Sequence, residues 1–437
     1  MKIILIMTNI LLTSCYFFPF EFTFLPGLNT KMMLAAVGGL LMLYHLIRMR
    51  SIIFSKEIMI SSLIAMVFSV IGLFAVDYNN SQDYSYASYI VSMVTWLAAS
   101  YTTCISIAWI HGKLSPRLLI NYLVAVCLLQ CALALLIEFV PAVKIFVDSY
   151  FSIGITEFLN KVKRLYGIGA ALDVAGVRFS AVLLMIAVLL AKDETIRHNS
   201  RAITVYVISF LLIAGIGNMI ARTTLLGMVG GIVYLLSTTG CFSRTMQHAN
   251  IKLWGIILSA LAVVFIIGAY YYNTDAAMHK LLRFGFEGFF SWAETGEWRT
   301  DSTDKLNTTM WIWPEVNDTK TWLIGKAVFS QWHDVGTDIG YCRFIFYSGA
   351  TGLVTFIIFF AYLSVTMAQK STVFKHLFIL LFLLLLVNWF KVSTDIYVIY
   401  ALFLSMESPY LSQHYKEEIE HTKEKRNENS LLYIRPI

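Results

Sequence analysis

Apolar runs of about 17 residues or more recur along most of this 437-residue chain, and they leave it very few folds. At 1.5 Å of rise per residue, roughly 20 apolar residues cross the hydrocarbon core of a bilayer as a helix. The helix is required because backbone N–H and C=O groups find no water there. A chain made largely of such runs is an all-α polytopic membrane protein, not a single water-soluble core. The scarcity of charge agrees: 14% of the residues are charged, against about 25% in an average soluble domain, and the mean hydropathy is +0.69. Seven prolines and 25 glycines are too few for a collagen-like or disordered chain.

Spans are expected near 3–20, 31–47, 57–76, 88–110, 118–141, 168–191, 202–217, 221–237, 252–272, 341–367, 373–389 and 393–406. That makes about twelve. The tight pair around Gly217 and the short last run leave ten or eleven open. Residues 3–20 have the apolar core of a signal peptide, but no small-x-small site precedes Glu21, so they are taken as the first span. The chain then divides into helices 1–9 over 1–272, a large loop over 273–340, helices 10–12 over 341–406, and a mixed-charge tail over 407–437. The six cysteines form no metal-ligand spacing. Cys127 and Cys131, one turn apart in an apolar run, read as buried thiols.

Loops 48–56, 112–117, 192–201, 238–252 and 368–376 hold Lys and Arg, whereas loops 21–30 and 77–87 hold none. The positive-inside rule makes the basic set cytoplasmic and puts both termini inside. The net charge of +6 then reflects topology, and nucleic acid is not expected as a partner. Against that background a few cations stand on the disfavoured side: Lys161, Lys163, Arg164, Arg178, Arg222, Arg343 and Lys391. Charge within a span normally faces the protein interior and has a partner. Several arginines on one face suit phosphate or pyrophosphate, whose oxygens a planar guanidinium binds in bidentate fashion. The competing readings are an Arg178–Asp173 ion pair and, for Arg222 and Arg343, snorkelling to headgroups.

The loop 273–340 holds six of the ten tryptophans: Trp292, Trp298, Trp311, Trp313, Trp322 and Trp332. They form either an interfacial belt or flat faces for sugar rings. Residues 277–293 read as one amphipathic helix lying on the interface. The loop ends on His333, Asp334, Gly336, Asp338, Gly340, Tyr341 and Arg343. A histidine or carboxylate here suits proton acceptance from a hydroxyl, while Asp338 as a helix cap and His333 as a solvated loop residue are the alternatives. No second histidine lies nearby, so no metal is expected.

Three stretches carry a family likeness. They are Arg164 to Arg178 (with Gly167, Gly169 and Asp173 between), Gly217 to Thr224 around Arg222, and Asp338 to Gly352 through Tyr341, Arg343 and Gly349. Together with the span count and the late large loop, they resemble the Wzy-type O-antigen polymerases, in the superfamily that also contains the O-antigen ligases. The resemblance implies a metal-independent, inverting glycosyltransferase of C-type architecture, with no cofactor, at the periplasmic face of the bacterial inner membrane. Its substrates would be glycan repeat units on undecaprenyl pyrophosphate, for O-antigen or capsular polysaccharide, with a chain-length regulator and a flippase as partners. Carried over, Arg164, Arg178, Arg222 and Arg343 become pyrophosphate contacts that stabilise charge as the sugar–phosphate bond breaks. Arg178 and Arg222, with His333 and Asp338, are the catalytic candidates. Trp332 and Tyr341 are the glycan-binding ones. The ligases show His, then Asn or Ser, then nine residues, then Gly; here Asp334 follows His333 and Phe344 takes the last place. That departure favours a polymerase over the alternative of a ligase delivering glycan to a lipid acceptor. A polysaccharide transporter or flippase is the alternative of another class, and it would require a path through the midplane.

Overall fold

The computed structural model describes residues 2–49, 55–152, 164–241, 247–330, 335–371, 373–408 and 411. It is almost wholly helical. In chain order, α1 is Lys2–Phe17, α2 Thr30–Met49, α3 Lys56–Tyr78, α4 Tyr89–His111, α5 Pro116–Phe139 and α6 Pro141–Tyr150. There follow α7 Leu172–Lys192, the single turn α8 Glu194–Arg197, α9 Ser200–Ile220, α10 Thr224–Thr238 and α11 His248–Thr274. The 273–340 region contributes α12 Ala276–Gly285, α13 Glu287–Thr295, α14 Asp301–Lys305 and α15 Thr319–Leu323. Finally come α16 Gly340–Lys370, α17 Lys375–Asn388 and α18 Tyr397–Met406. A two-residue antiparallel ribbon joins β1, Glu21–Phe22, to β2, Phe151–Ser152.

Eight of these helices are long and apolar enough to cross a membrane: α2, α3, α4, α5, α7, α9, α11 and α16. The apolar helices α1, α10, α17 and α18 are shorter. Caps mark several boundaries. Ser55 and Ser115 each accept an N–H in the first turn of α3 and α5, and Gly112 closes α4 in the left-handed region. The single helix expected over 277–293 is two helices, because the chain breaks at Phe286 between α12 and α13.

The basic loops meet at one end of the bundle. Arg117 pairs with Asp193 at 2.7 Å, Arg197 donates to Asn250 at 2.7 Å, and Lys370 bridges Glu57 and Glu407 at 3.0 and 2.5 Å. The loops without Lys or Arg meet at the other, loop-bearing end, where the β-ribbon forms and where 79–83 binds 325–330.

At the centre stands α7, with 94% of its most apolar window buried. Small residues bring α10 against it: Ser180 Oγ donates to the Thr223 carbonyl at 2.7 Å and accepts the Gly227 N–H at 3.0 Å. By contrast α11 is only 6% buried over its window, as suits a helix bathed in lipid.

The helix α16 is broken at Ser348–Gly349, where Gly349 takes φ +66° and ψ −172°. The break exposes carbonyls that the 273–340 region then satisfies: Lys326 N–H donates to Phe346 O at 2.7 Å and Ala327 N–H to Tyr347 O at 3.0 Å. A Cβ on Gly349 would fall 2.2 Å from the Leu323 carbonyl oxygen, so only glycine permits this approach.

Candidate functional site

The arginines of interest are held at the loop-bearing end, in two pairs. Of the first pair, Arg178 stands on α7 and Arg343 on α16. The chain reaches α7 through Gly169, at φ +74°, whose Cα passes so close to α1 that a Cβ would lie 2.3 Å from the Phe18 carbonyl oxygen. This contact brings Arg178 to the end of α1. Arg178 is buried, its Nη1 donates to the Phe17 carbonyl at 2.5 Å, and its guanidinium lies 5.7 Å from the Trp96 ring centroid. The ion pair with Asp173 weighed from the sequence does not form: Asp173 is taken by Lys391 Nζ and Thr223 Oγ1, both at 3.1 Å.

Arg178 lines a polar cavity of about 260 Å³ with Tyr86, Trp96, Phe329, Ser393, Thr394, Asp395 and Val398. Lys31 Nζ lies over the same Trp96 ring, 4.7 Å from its centroid. Asp395 feels both cations. Burial pushes the Asp395 carboxyl above the ordinary aspartate value, against the opposing pull of the Tyr397 N–H, Arg178 and Lys31. That N–H donates to Asp395 Oδ1 at 2.8 Å. One cation, one carboxylate and three aromatic rings thus line one small space, with Lys31 against its Trp96 wall.

The other arginine of this pair, Arg343, sits behind the cavity wall. Its guanidinium lies 3.9 Å from the centroid of Phe329, and Nη2 donates to the Phe329 carbonyl. Asp338 and Asp83 act on it electrostatically.

The second pair is Arg164 and Arg222, which share one ring: their guanidinium carbons lie 5.0 and 4.3 Å from the Phe284 centroid. Arg222 Nε donates to the Phe284 carbonyl at 3.1 Å, Nη1 to Ser302 Oγ at 3.4 Å, and Nη2 pairs with Glu287. Burial pulls the Arg222 guanidinium below its ordinary value; Glu287 opposes this and the like charge of Arg164 adds to it. A second cavity of about 380 Å³ opens beside Arg222 and Lys391. Its walls are mostly apolar, with Leu225, Leu226, Phe289 and Trp298 among them.

One loop joins the two clusters. Between α17 and α18, Lys391 belongs to the Arg222 cavity, and Ser393, Thr394 and Asp395 belong to the Arg178 cavity. Neither of these two cavities is lined by all four arginines: Arg164 and Arg222 share Phe284, Arg178 lines the Asp395 cavity, and Arg343 lies against Phe329 in that cavity's wall. Tyr341 lines neither cavity, because its hydroxyl donates to the Leu386 carbonyl at 2.9 Å and its ring packs on Trp389 and Phe390. Asp338 is half-buried just before α16. His333 and Trp332, like Lys161, Lys163 and Asp334, lie outside the described residues.

Lys31 and Asp395 escaped the sequence reading, although each carried a signal of its own. Lys31 opens α2 at the end that should lack cations, and Asp395 falls inside the run 393–406 expected as a span. Trp96, Tyr86 and Phe329 gave no such signal, since aromatic residues are common throughout the chain. No family model, no curated protein and no solved structure matches this chain.

Proposed function

We propose that the protein is a membrane glycosyltransferase that polymerises glycan repeat units carried on undecaprenyl pyrophosphate, working at the periplasmic face of the bacterial inner membrane. The observation that carries this reading is the cavity lined by Arg178 and Asp395, with Lys31 over its Trp96 wall, at the loop-bearing end of an otherwise apolar bundle. Cations there neutralise the pyrophosphate as it leaves, which is electrostatic work on a developing charge in a low-dielectric site. The rings of Trp96, Tyr86 and Phe329 give flat apolar faces for sugar rings, and Ser393 and Thr394 offer hydroxyls beside them. Asp395 is placed to accept the proton of the acceptor hydroxyl.

In the inverting step the acceptor oxygen bonds to the anomeric carbon from the face opposite the phosphate. The carbon–oxygen bond to phosphate breaks, and its electron pair leaves with undecaprenyl pyrophosphate. The proton from the acceptor hydroxyl passes to the Asp395 carboxylate. The Arg164–Arg222 pair, beside an apolar cavity, suits the lipid-linked end of the acceptor repeat unit, with its phosphates replacing Glu287 on Arg222. The reading takes the four short apolar helices as spans as well, giving twelve crossings with both termini cytoplasmic.

The test is Arg178→Ala in a strain deleted for the native gene. Gels of surface glycan are expected to lose the long-chain ladder and keep a single repeat unit, while the protein still inserts at wild-type level. Arg178→Lys should rescue poorly, because a lysine cannot reproduce the flat, forked donor set. A persistent ladder in Arg178→Ala rejects the assignment, and loss of all attached glycan on gene deletion points to a ligase.

A further inference from the structure

The segment 325–330 runs in a slot between two other parts of the chain. On one side, alternate residues of the loop after α3 hold alternate residues of the segment. Asn79 Nδ2 donates to Gly325 O at 3.2 Å, Ser81 Oγ donates to Ala327 O at 2.7 Å, and Asp83 takes the last position. On the other side the segment caps the broken turn of α16. Asp83 Oδ2 accepts the N–H groups of Phe329 and Ser330 at 2.6 and 2.5 Å and the Ser330 hydroxyl at 2.9 Å. Asp83 Oδ1 accepts the Ser85 N–H and hydroxyl at 3.1 and 2.5 Å.

Phe329 is thus gripped through its N–H by a carboxylate. Its carbonyl and the face of its ring are gripped by Arg343. Tyr86, three residues beyond Asp83, meets the Phe329 ring edge-on with centroids 4.6 Å apart, and both rings line the Arg178 cavity. Arg178 and Arg222 each line a cavity; Arg343 lines neither.

We propose that Asp83 and Arg343 are positioning residues that clamp Phe329 between them and so fix the aromatic wall of the sugar-binding cavity, Arg343 acting through Phe329 and not on pyrophosphate. The proposal rests on the glycosyl-transfer reading of that cavity. The reason is preorganisation. A ring that must lie flat against a sugar has to be held to about half an ångström, and ordering it only on binding weakens affinity. Hydrogen bonds to ionised partners at both ends of one residue supply that rigidity from groups outside the cavity.

A double-mutant cycle on the full-length protein in nanodiscs tests it, with Asp83→Asn, Arg343→Met and both together. Two quantities are read: amide hydrogen exchange of residues 326–330, and the rate of chain extension as the concentration of lipid-linked repeat unit is varied. Each single variant is expected to speed exchange at Phe329 and Ser330 and to raise KM about tenfold with little change in kcat, and the pair together to be no worse than the poorer single. Phe329→Leu, which keeps the backbone bonds, should raise KM and leave exchange at wild-type rates. It also serves if Asp83→Asn fails to fold.

Losses that multiply in the double variant, falling on kcat, with exchange unchanged in Arg343→Met, would overturn the clamp and return Arg343 to the substrate. A wild-type protein that extends no glycan sinks the glycosyl-transfer reading and the sugar-wall role with it. The exchange pattern then decides by itself whether the clamp exists.

Discussion

Asp395 shows how much one side chain's chemistry depends on its surroundings. An exposed aspartate titrates at about 3.9. Here burial raises the Asp395 carboxyl, and the Tyr397 N–H, Arg178 and Lys31 hold the rise in check. The folded protein therefore favours the protonated form more than the unfolded chain does, so ionising Asp395 lowers stability as pH climbs through the raised value. Activity runs the other way, because proton acceptance needs the carboxylate. The acid limb of the rate–pH profile of chain extension is expected above the range of an ordinary aspartate. Lys31→Met should move that limb higher by removing a cation that favours the ionised form. Asp395→Asn should abolish the limb and lower the rate about 100-fold or more. A wild-type rate in Asp395→Asn in proteoliposomes would exclude it as the base.

At the scale of elements, the broken helix α16 and the segment it accepts behave as one unit. Neither part satisfies its own backbone: the break at Ser348–Gly349 frees carbonyls of α16, and residues 326 and 327 supply the N–H groups. Gly349→Ala is expected to lower stability by about 2 kcal/mol or more, through both its positive φ and the collision with the Leu323 carbonyl. The loss should show in thermal unfolding and, locally, as faster exchange at Lys326 and Ala327. An unchanged melting temperature would mean that the break is not built around this glycine. The tryptophans of the 273–340 region form a second element of this kind, with Trp311, Trp313 and Trp322 stacked in succession at 5.7 and 5.9 Å. Because Trp311 also meets Phe390 beside Lys391, the row leads from the exposed loop toward the joining loop of the site.

For the whole molecule, the first question is which end faces which compartment. Basic loops gathered at one end and basic-poor loops at the other are what the positive-inside rule acts on, so the basic end is expected in the cytoplasm. Alkaline phosphatase fused after Met406 should then be inactive, and the same enzyme inserted in the 296–300 turn should be active. The reverse pattern would invert the site's compartment and exclude a periplasmic reaction. Much of this architecture was legible in the chain itself. Apolar runs locate helices because the bilayer leaves the backbone no other partner, and each helix of the bundle lies close to the run that announced it. The same rule of charge placement found Arg164, Arg178, Arg222 and Arg343. What it could not give was their grouping. Periodicity and charge bias are properties of short stretches, whereas the two arginine pairs arise from contacts across more than 60 residues of chain, such as Arg178 with Phe17, and Arg222 with Phe284. The sequence by itself determined a helical membrane bundle with arginines at one end. Only the tertiary structure decided that Arg178 shares its cavity with Asp395, that Lys31 lies over the Trp96 ring of that cavity, that Asp173 belongs to Lys391, and that Arg343 grips Phe329, because packing alone chooses the partner of a buried charge.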